Sequence, residues 1–579
     1  MRFARRIARR VLPDPLPPLP PGLSPVLARV YAARQVSGPL ELDYRLACLY
    51  PLAGLGGIEA AARLLADALG AGQRLLVVGD FDADGATGAA LMVRGLRAMG
   101  AAHAEYLVPT RLDYGYGLTP EVVEMAAARR PDVIVTVDNG ISSLEGVRAA
   151  RSLGIRVLVT DHHLPGPELP EADAIVDPNC AGDAFPSRHL AGVGVAFYVM
   201  AALRAELRAR GWFSGRGIEE PNLAVLLDLV ALGTVADVVP LDYNNRVLVA
   251  RGLARIRAGQ GCPGIRALAR VAGRDPARIG ATDLGFSLGP RLNAAGRLAD
   301  MSLGVACLLA EDDAEALRLA RQLDALNGER RAVEAEMHAQ ALGALRRLEI
   351  EEQGALPSGL CLFDPDWHPG VVGILASRIK ERLHRPVIAF APVAGGELRG
   401  SGRSVPAVHL RDALEAIGTR QPGLLVRFGG HAMAAGLTLG PSSLPAFSEA
   451  FDREVRERAG PAGLSGVLWT DGPLAPEEMA IGVAESLREG GPWWQAFPEP
   501  LFDGEFQLVS RRVFAERHLR LGLRAGPSGR TVDAVAFNAL EQPWPSPGGA
   551  VQIAYRLEVD EWQGKRNVRL VVEEVQPRG

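Results

Sequence analysis

Four apolar segments between residues 74 and 237 each run into side chains that bind cations, and this repetition constrains the chain more than any other feature. LLVVG leads into Asp80-Phe81-Asp82-Ala83-Asp84, VIVTV into Asp138, VLVT into Asp161-His162-His163, and LLDLVALGTVA into Asp237. Short apolar runs alternate here with Ala-rich helical stretches at 87–100 and 120–130. That pattern predicts buried parallel strands in a doubly wound α/β sheet. Ligands bind such sheets beyond the carboxyl ends of the strands. The four segments, all read as strands, are therefore expected to bring their acids together at one edge. Asp80, Asp82 and Asp84 would repel one another there unless cations neutralised them. Carboxylates with one or two imidazoles favour Mn²⁺ or Mg²⁺ over a thiolate-seeking metal. So many carboxylates imply two ions about 4 Å apart. The five cysteines are far apart and form no CxxC pair. This speaks for a reducing cytoplasm and against zinc–thiolate sites or a disulfide frame.

At 579 residues the chain is too long for one ordinary domain. Residues 1–50 read as a peripheral N-terminal segment and 51–245 as the α/β unit with the acidic motifs. A largely helical connector follows over 246–350, in which 312–348 reads as a long helix or helix pair. A second, smaller α/β unit spans 351–458, with strands LCLFDPD and PVIAFAP around a helix at 371–383. Over 464–579 the pattern becomes FDGEFQLVSRRVF, HLRLGLRAG, TVDAVAFNA, AVQIAYRLEVDEW and NVRLVVEEV. These segments predict five antiparallel strands in a small barrel such as an OB fold. No apolar run is long enough to span a bilayer. The basic start MRFARRIARR is followed by a Pro-rich stretch rather than an apolar one, so no secretory signal is expected. A net charge of −4 excludes a polycation, so any nucleic-acid binding needs locally concentrated positive charge. Apart from Lys380 and Lys565 the strongly basic residues are all Arg, whose forks suit bidentate phosphate binding.

GDFDADGAT, VDNG, TDHH and GTVAD resemble the four motifs of the DHH phosphoesterase superfamily. Within it the chain is similar to the bacterial RecJ family over nearly its whole length. YGYGLT, LAGVGVAF, PRLNAAGRL and SGRS match further, GGHAMAAGL resembles the DHH-associated domain, and GPWWQAFPEPLF resembles the lead-in to the OB domain. Phe81 stands where Tyr is common. The resemblance implies a multidomain α/β protein: a DHH parallel-sheet domain, a long connecting helix, a smaller DHH-associated α/β domain and a C-terminal OB-like β-barrel. It implies a 5′→3′ exonuclease that hydrolyses single-stranded DNA to mononucleotides by a two-metal mechanism, in recombinational and mismatch repair. The implied partners are single-stranded DNA, single-strand-binding protein and a RecQ-type helicase, for a cytoplasmic monomer. Asp80, Asp82, Asp84, Asp138, His162 and Asp237 would supply metal ligands, Asp80 either directly or by orienting another ligand. His163 would join Asp82, Asp84, Asp138, His162 and Asp237 in catalysis, by orienting water or touching the scissile phosphate. Asp161, in an extended segment, should point away from the metals. Asp228, nine residues before Asp237 on an expected helix, reads as a polar support for the site or the core.

Substrate contacts are expected from Arg111 and Tyr116 in the first unit and from Arg291, Asn293 and Arg297 in PRLNAAGR, where helix capping is the alternative. Ser401 and Arg403 offer a hydroxyl, a fork and flanking glycine amides to a terminal phosphate. Gly429, Gly430 and His431 match the family's substrate loop. Phe514, Tyr555 and Trp562 are candidates to stack on bases, with barrel core as the competing role, and His518 and Arg520 to touch the backbone. Two other functions compete: a DHH phosphoesterase acting on short oligonucleotides, and a non-catalytic DNA-binding scaffold. A dehydrogenase-like nucleotide binder is disfavoured, because no GxGxxG follows the first strand.

Overall fold

The computed structural model describes residues 5–110, 114–351, 356–393, 395–464, 466–526, 529–540, 542–562 and 565–577. After a short strand β1 (Arg6–Arg9), the first sheet is built from β2 (Arg74–Gly79), β3 (His103–Leu107), β4 (Val133–Val137), β5 (Arg156–Thr160) and β6 (Ala174–Val176). All its pairs are parallel, in the order β3-β2-β4-β5-β6. Strand β4 is buried throughout, which explains its unbroken apolar run. Edge strand β3, the strand expected before Arg111, is buried only at Ala104 and Leu107. Gly79 pairs with Val137, Val137 with Thr160, and Thr160 with Val176. Four strands thus end flush, and Asp80, Asp138, Asp161 and Asp177 follow in one row along the carboxyl edge.

The fourth acid-ended segment is not a strand. It forms the helix Leu227–Ala236, in which every residue from Leu227 to Val235 is buried. A helix buried on all sides has no polar stripe, so the apolar run ending in Asp237 reads like a strand even though a helix is expected at Asp228. The connector ends in one continuous helix, Asp313–Glu351. Beyond it lies a five-stranded sheet of β7 (Leu360–Phe363), β8 (Val387–Pro392), β9 (Leu398–Arg403), β10 (Arg427–Gly430) and β11 (Ala434–Leu439), in the order β10-β11-β9-β8-β7. The helix Val372–Leu383 joins the parallel pair β7 and β8, and the remaining pairs are antiparallel.

The N-terminal segment is a clamp rather than a peripheral tail. Strand β1 pairs in parallel with β12 (Val467–Thr470). Arg9 holds Asp503 at 2.8 Å, and the buried Arg34 holds the buried Asp471 at 2.8 Å. The chain then closes a barrel of β13 (Phe502–Phe514), β14 (His518–Arg524), β15 (Thr531–Ala536), β16 (Ala550–Trp562) and β17 (Lys565–Pro577). Its strands are not all antiparallel as expected, because β15 and β17 pair in parallel and close the ring. Among the described residues no helix is long and apolar enough to cross a membrane.

Candidate metal centre and substrate cleft

Each acid reaches the sheet edge by a different local device. Asp82 caps the helix Ala83–Ala98, its Oδ1 accepting from the amides of Asp84 at 2.9 Å and Gly85 at 3.0 Å. Asp84 is fully buried and accepts from the amides of Gly192 at 2.6 Å and Val193 at 3.0 Å, in the first turn of the helix Gly192–Ala209. Asp138 takes a φ of 63°, a left-handed turn uncommon for a residue with a side chain. Asp237 sits at the C-terminus of the helix Leu227–Ala236, where the helix dipole disfavours a negative charge.

These groups converge on the His162 imidazole. Its Nε2 lies 2.9 Å from Asp138 Oδ1, 3.6 Å from Asp237 Oδ2 and 3.9 Å from Asp84 Oδ2. Three overlapping sets have donor atoms within 4.8 Å of one another: Asp84 with His162 and Asp237, Asp80 with Asp82 and Asp138, and Asp138 with His162 and His163. All six expected ligands are therefore brought together, with His163 beside them. Burial and then the Asp237 charge push Asp84 up to about 7, and burial and then Asp82 push Asp237 up to about 7. Burial and then Asp84 raise Asp138 well above the carboxylate range. Such crowding shows a cluster short of positive charge, and hard oxygen donors with one or two imidazoles fit a pair of Mn²⁺ or Mg²⁺ ions.

Asp161 behaves differently, and it belongs to none of the three sets. Its Oδ1 accepts from the amide of His162 at 2.8 Å and lies 2.8 Å from His163 Nδ1, while its Oδ2 accepts from the Ile141 amide at 2.9 Å. Burial works against its charge, but the bond to His163 and the donors around it hold Asp161 below the ordinary carboxylate range. It fixes the turn that presents both imidazoles. Asn179, which the sequence reading missed, completes that bracing by donating to the His162 carbonyl at 2.6 Å. Its own amide is held by Asp177 at 2.8 Å. The signal was present, since AIVD ends in an acid as the other strands do. Asp228 accepts from the Cys262 amide at 2.6 Å and so ties two helices together away from the cluster.

The expected substrate residues divide. Arg111 lies outside the described residues. Tyr116 is 46% exposed, and its hydroxyl lies 3.0 Å from His163 Nδ1 and donates to the Asp138 carbonyl at 3.2 Å. Arg291 is a strut rather than a free phosphate contact: its guanidinium holds Asp324 at 2.9 Å and the Ser287 carbonyl at 2.6 Å. The Asn293 side-chain Oδ1 accepts from the Ala83 amide at 2.8 Å, and Arg297 donates to the Gly370 carbonyl at 3.1 Å. The helix Gly289–Leu298 thus links the acidic turn to the second lobe.

In that lobe Ser401 and Arg403 lie on β9, in a strand rather than a turn. Ser401 pairs with Gly436 on β11, and Gly436 with Gly429 on β10, so three distant positions form one row across the sheet. Nothing stands within 4 Å of where a Cβ would project from Gly429 or Gly436, so this face is open. The first turn of the helix Val372–Leu383 lies over Ser401 and Arg403: a Cβ on Gly373 would stand 2.8 Å from Ser401 Oγ and 3.0 Å from an Arg403 nitrogen. A helix N-terminus, a hydroxyl and a guanidinium together suit a phosphate. Gly430 and His431 follow at the hairpin turn, where the His431 amide donates to the Ala434 carbonyl at 2.8 Å. Burial and then the His163 charge lower the His431 imidazole, which places this loop within electrostatic reach of the acid cluster.

On the barrel, Tyr555 is fully buried against Phe502 and Phe506 and so belongs to the core, not to a base-stacking surface. The Trp562 side chain lies outside the described residues. Phe514 is 39% exposed with its ring 5.2 Å from His518, and His518 is 5.3 Å from Phe537, itself 50% exposed. Phe537 was missed because one aromatic residue just past a strand carries no pattern. Arg520 lies beside this group on β14, facing Asp533 at 3.7 Å.

A parallel sheet carrying a carboxylate–imidazole edge, joined by a long helix to a second lobe and a five-stranded barrel, defines a DHH-type protein with an OB barrel. The sequence matches the models of the DHH family N-terminal domain over residues 74–234, the DHHA1 domain over 356–457 and the RecJ OB domain over 470–574. It is 56% identical over 552 residues to the single-stranded-DNA-specific exonuclease RecJ of Dickeya dadantii, covering 95% of this chain and 96% of that protein. It is 54% identical over 552 residues to that of Escherichia coli, with the same 95% and 96% coverage. A crystal structure of RecJ in complex with Mn²⁺ from Thermus thermophilus matches with a TM-score of 0.80 at 31% identity, covering 100% of this chain and 80% of that one. Its counterpart in complex with Mg²⁺ matches with a TM-score of 0.74 at 30% identity, covering 100% of this chain and 79% of that one. The chain belongs to the RecJ exonuclease family.

Proposed function

We propose that the chain hydrolyses single-stranded DNA from its 5′ end, releasing mononucleotides, with two Mn²⁺ or Mg²⁺ ions, in recombinational and mismatch repair. The observation that carries this reading is the convergence of six donors from four distant segments at one sheet edge, in a chain whose second lobe carries an open phosphate-suited row. The relatives from Dickeya dadantii and Escherichia coli, named single-stranded-DNA-specific exonucleases, support it. Asp80, Asp82, Asp84, Asp138, His162 and Asp237 would hold the ions, which when bound supply an activated water and charge stabilisation at phosphorus. The chain's own residues set the geometry. The Gly192 and Val193 amides fix Asp84, and Asp161 and Asn179 fix the His162-His163 turn. His163, with the Tyr116 hydroxyl at 3.0 Å, faces the cleft as a donor to the scissile phosphate. Ser401, Arg403, Gly429, Gly430 and His431, joined by Arg111, bind the 5′-terminal phosphate. Holding that end a fixed distance from the donors makes the first phosphodiester the one cut, which gives polarity and mononucleotide products. Phe514, His518, Phe537 and Arg520 carry the trailing strand on the barrel. The units are proposed to divide as 51–245, 246–350, 351–458 and 464–579, in a cytoplasmic monomer that works with single-strand-binding protein and a RecQ-type helicase.

The test is digestion of one oligonucleotide labelled at either end, with and without chelator. Labelled mononucleotide released first from the 5′-labelled strand, and no digestion in chelator, is the expected result. Release from the 3′ end, or digestion that ignores chelator, refutes the proposal. An activity confined to very short oligonucleotides would favour a small-substrate phosphoesterase instead.

A further inference from the structure

A cavity of about 600 Å³ opens where the helix Tyr243–Arg257, the segment up to Asp283, the helix Ile481–Glu489 and barrel strand β16 meet. It shares no lining residue with the acid cluster or with the Ser401–Arg403 row. Six guanidinium groups line it. Three are matched to carboxylates: Arg274 to Asp283 at 3.3 Å, Arg278 to Glu561 at 2.7 Å and Arg556 to Glu499 at 3.0 Å. Those three are the ordinary ion pairs of a domain junction. The other three are not matched in this way. Arg251 makes no ion pair among the described residues. Arg257 donates its Nε to the Ile279 carbonyl at 2.7 Å and makes no ion pair within 4 Å among those residues. Arg488 pairs among the described residues only with Glu489, at 3.9 Å. Burial and then the Arg488 charge push Arg257 below the ordinary arginine range, although Glu489 and Asp283 act in the opposite sense. The buried Tyr44 hydroxyl, beside Arg246, also lines the cavity and makes no hydrogen bond of ordinary geometry among the described residues.

Six guanidinium groups against four lining carboxylates, Asp283, Glu489, Glu499 and Glu558, give this cavity a local excess of positive charge in a chain whose net charge is −4, and such an excess attracts anions. The planar guanidinium forks match phosphate oxygens two at a time. The volume lies within the roughly 300–1,000 Å³ of ordinary small-ligand sites. We propose that this cavity is a second phosphate-binding site, separate from the metal centre, that takes a phosphate-bearing ligand of nucleotide size and bridges the connector to the barrel. A free mononucleotide and an internucleotide phosphate of a bound strand present the same chemistry, and the experiment separates them.

The test uses the full chain carrying Ser401→Ala and Arg403→Ala, which silences the candidate terminal-phosphate row, in chelator so that nothing is hydrolysed. Inorganic pyrophosphate, thymidine 5′-monophosphate and a short oligothymidylate are titrated by calorimetry. Saturable binding of pyrophosphate or the mononucleotide is expected, weakened roughly tenfold by Arg251→Gln and again by Arg257→Gln. Binding of the oligonucleotide alone, lost in the same variants, assigns the phosphate to a strand and supports the same cavity. Absence of binding by every probe, or binding that neither variant changes, overturns the proposal. Arg251 is exposed, so Arg251→Gln decides the matter even if Arg257→Gln fails to fold. Because no hydrolysis is required, this outcome is independent of the nuclease assay.

Discussion

Asp138 turns the chain in a left-handed conformation at φ 63°, and that turn aims its carboxylate at His162 Nε2, 2.9 Å away. Strained backbone of this kind persists where the surroundings over-determine it, as at a catalytic edge. Asp82→Ala or His162→Ala is expected to abolish hydrolysis while leaving single-stranded DNA binding largely intact, measured by digestion and by fluorescence anisotropy on the same protein. Appreciable residual activity in either variant would remove that residue from the donor set. Asp161→Ala should act through the turn instead. It leaves the amides of His162 and Ile141 without their acceptor, at about 1–3 kcal/mol for each buried group. A lowered melting temperature together with reduced turnover is expected, and a wild-type melt would refute the bracing role.

Helices and strands position the site by approaching closely where a side chain is missing. A Cβ on Gly192 would stand 2.5 Å from the Asp138 Cβ, so the helix Gly192–Ala209 can reach both Asp84 and Asp138 only with glycine there. Gly192→Ala should therefore displace the cluster, costing roughly 1–3 kcal/mol of stability as overpacking does. Hydrolysis should fall far more than DNA binding, as thermal melts and paired assays would show. On the barrel, the buried Tyr555 and the exposed Phe537 should separate cleanly. Tyr555→Ala is expected to destabilise the fold by about 3–5 kcal/mol, as loss of a large buried aromatic does. Phe537→Ala should leave the melt unchanged and weaken oligonucleotide binding by about 1–3 kcal/mol. An unchanged affinity would take Phe537 off the strand's path.

At the scale of the whole molecule, the helix Asp313–Glu351 joins the first lobe to the second, and the Arg297–Gly370 contact ties them together beside the acidic turn. Strand β1 and the buried pair of Arg34 with Asp471 fasten the barrel back onto the N-terminal segment. A strand held between the metal centre and the second lobe, as proposed, must be flexible, and a stiff duplex would not fit there. Blunt duplex should be degraded far more slowly than single-stranded or 5′-tailed DNA, and equal rates would argue against exclusion by the cleft. Arg403→Ala should erase the preference for a 5′-phosphate over a 5′-hydroxyl without removing hydrolysis, and an unchanged preference would move the end-binding site elsewhere.

The parallel strands, the acids that end them and the alternating barrel strands are local patterns, so they were legible from residue order alone. The carboxyl-edge position of Asp80, Asp138 and His162 followed from strand direction, which needs no contact information. The helix that carries Asp237 was only half legible: a helix was expected at Asp228, but burial on every side erases the period, and the apolar run also read as a strand. Nor was the assignment of Tyr555 to the core, since an aromatic residue on a strand looks the same whether it faces the interior or a ligand. The row from Ser401 through Gly436 to Gly429, the Asn179 brace and the pairing of Arg291 with Asp324 depend on which distant segments meet. Those pairings arise from long-range packing, and only the folded chain decides them.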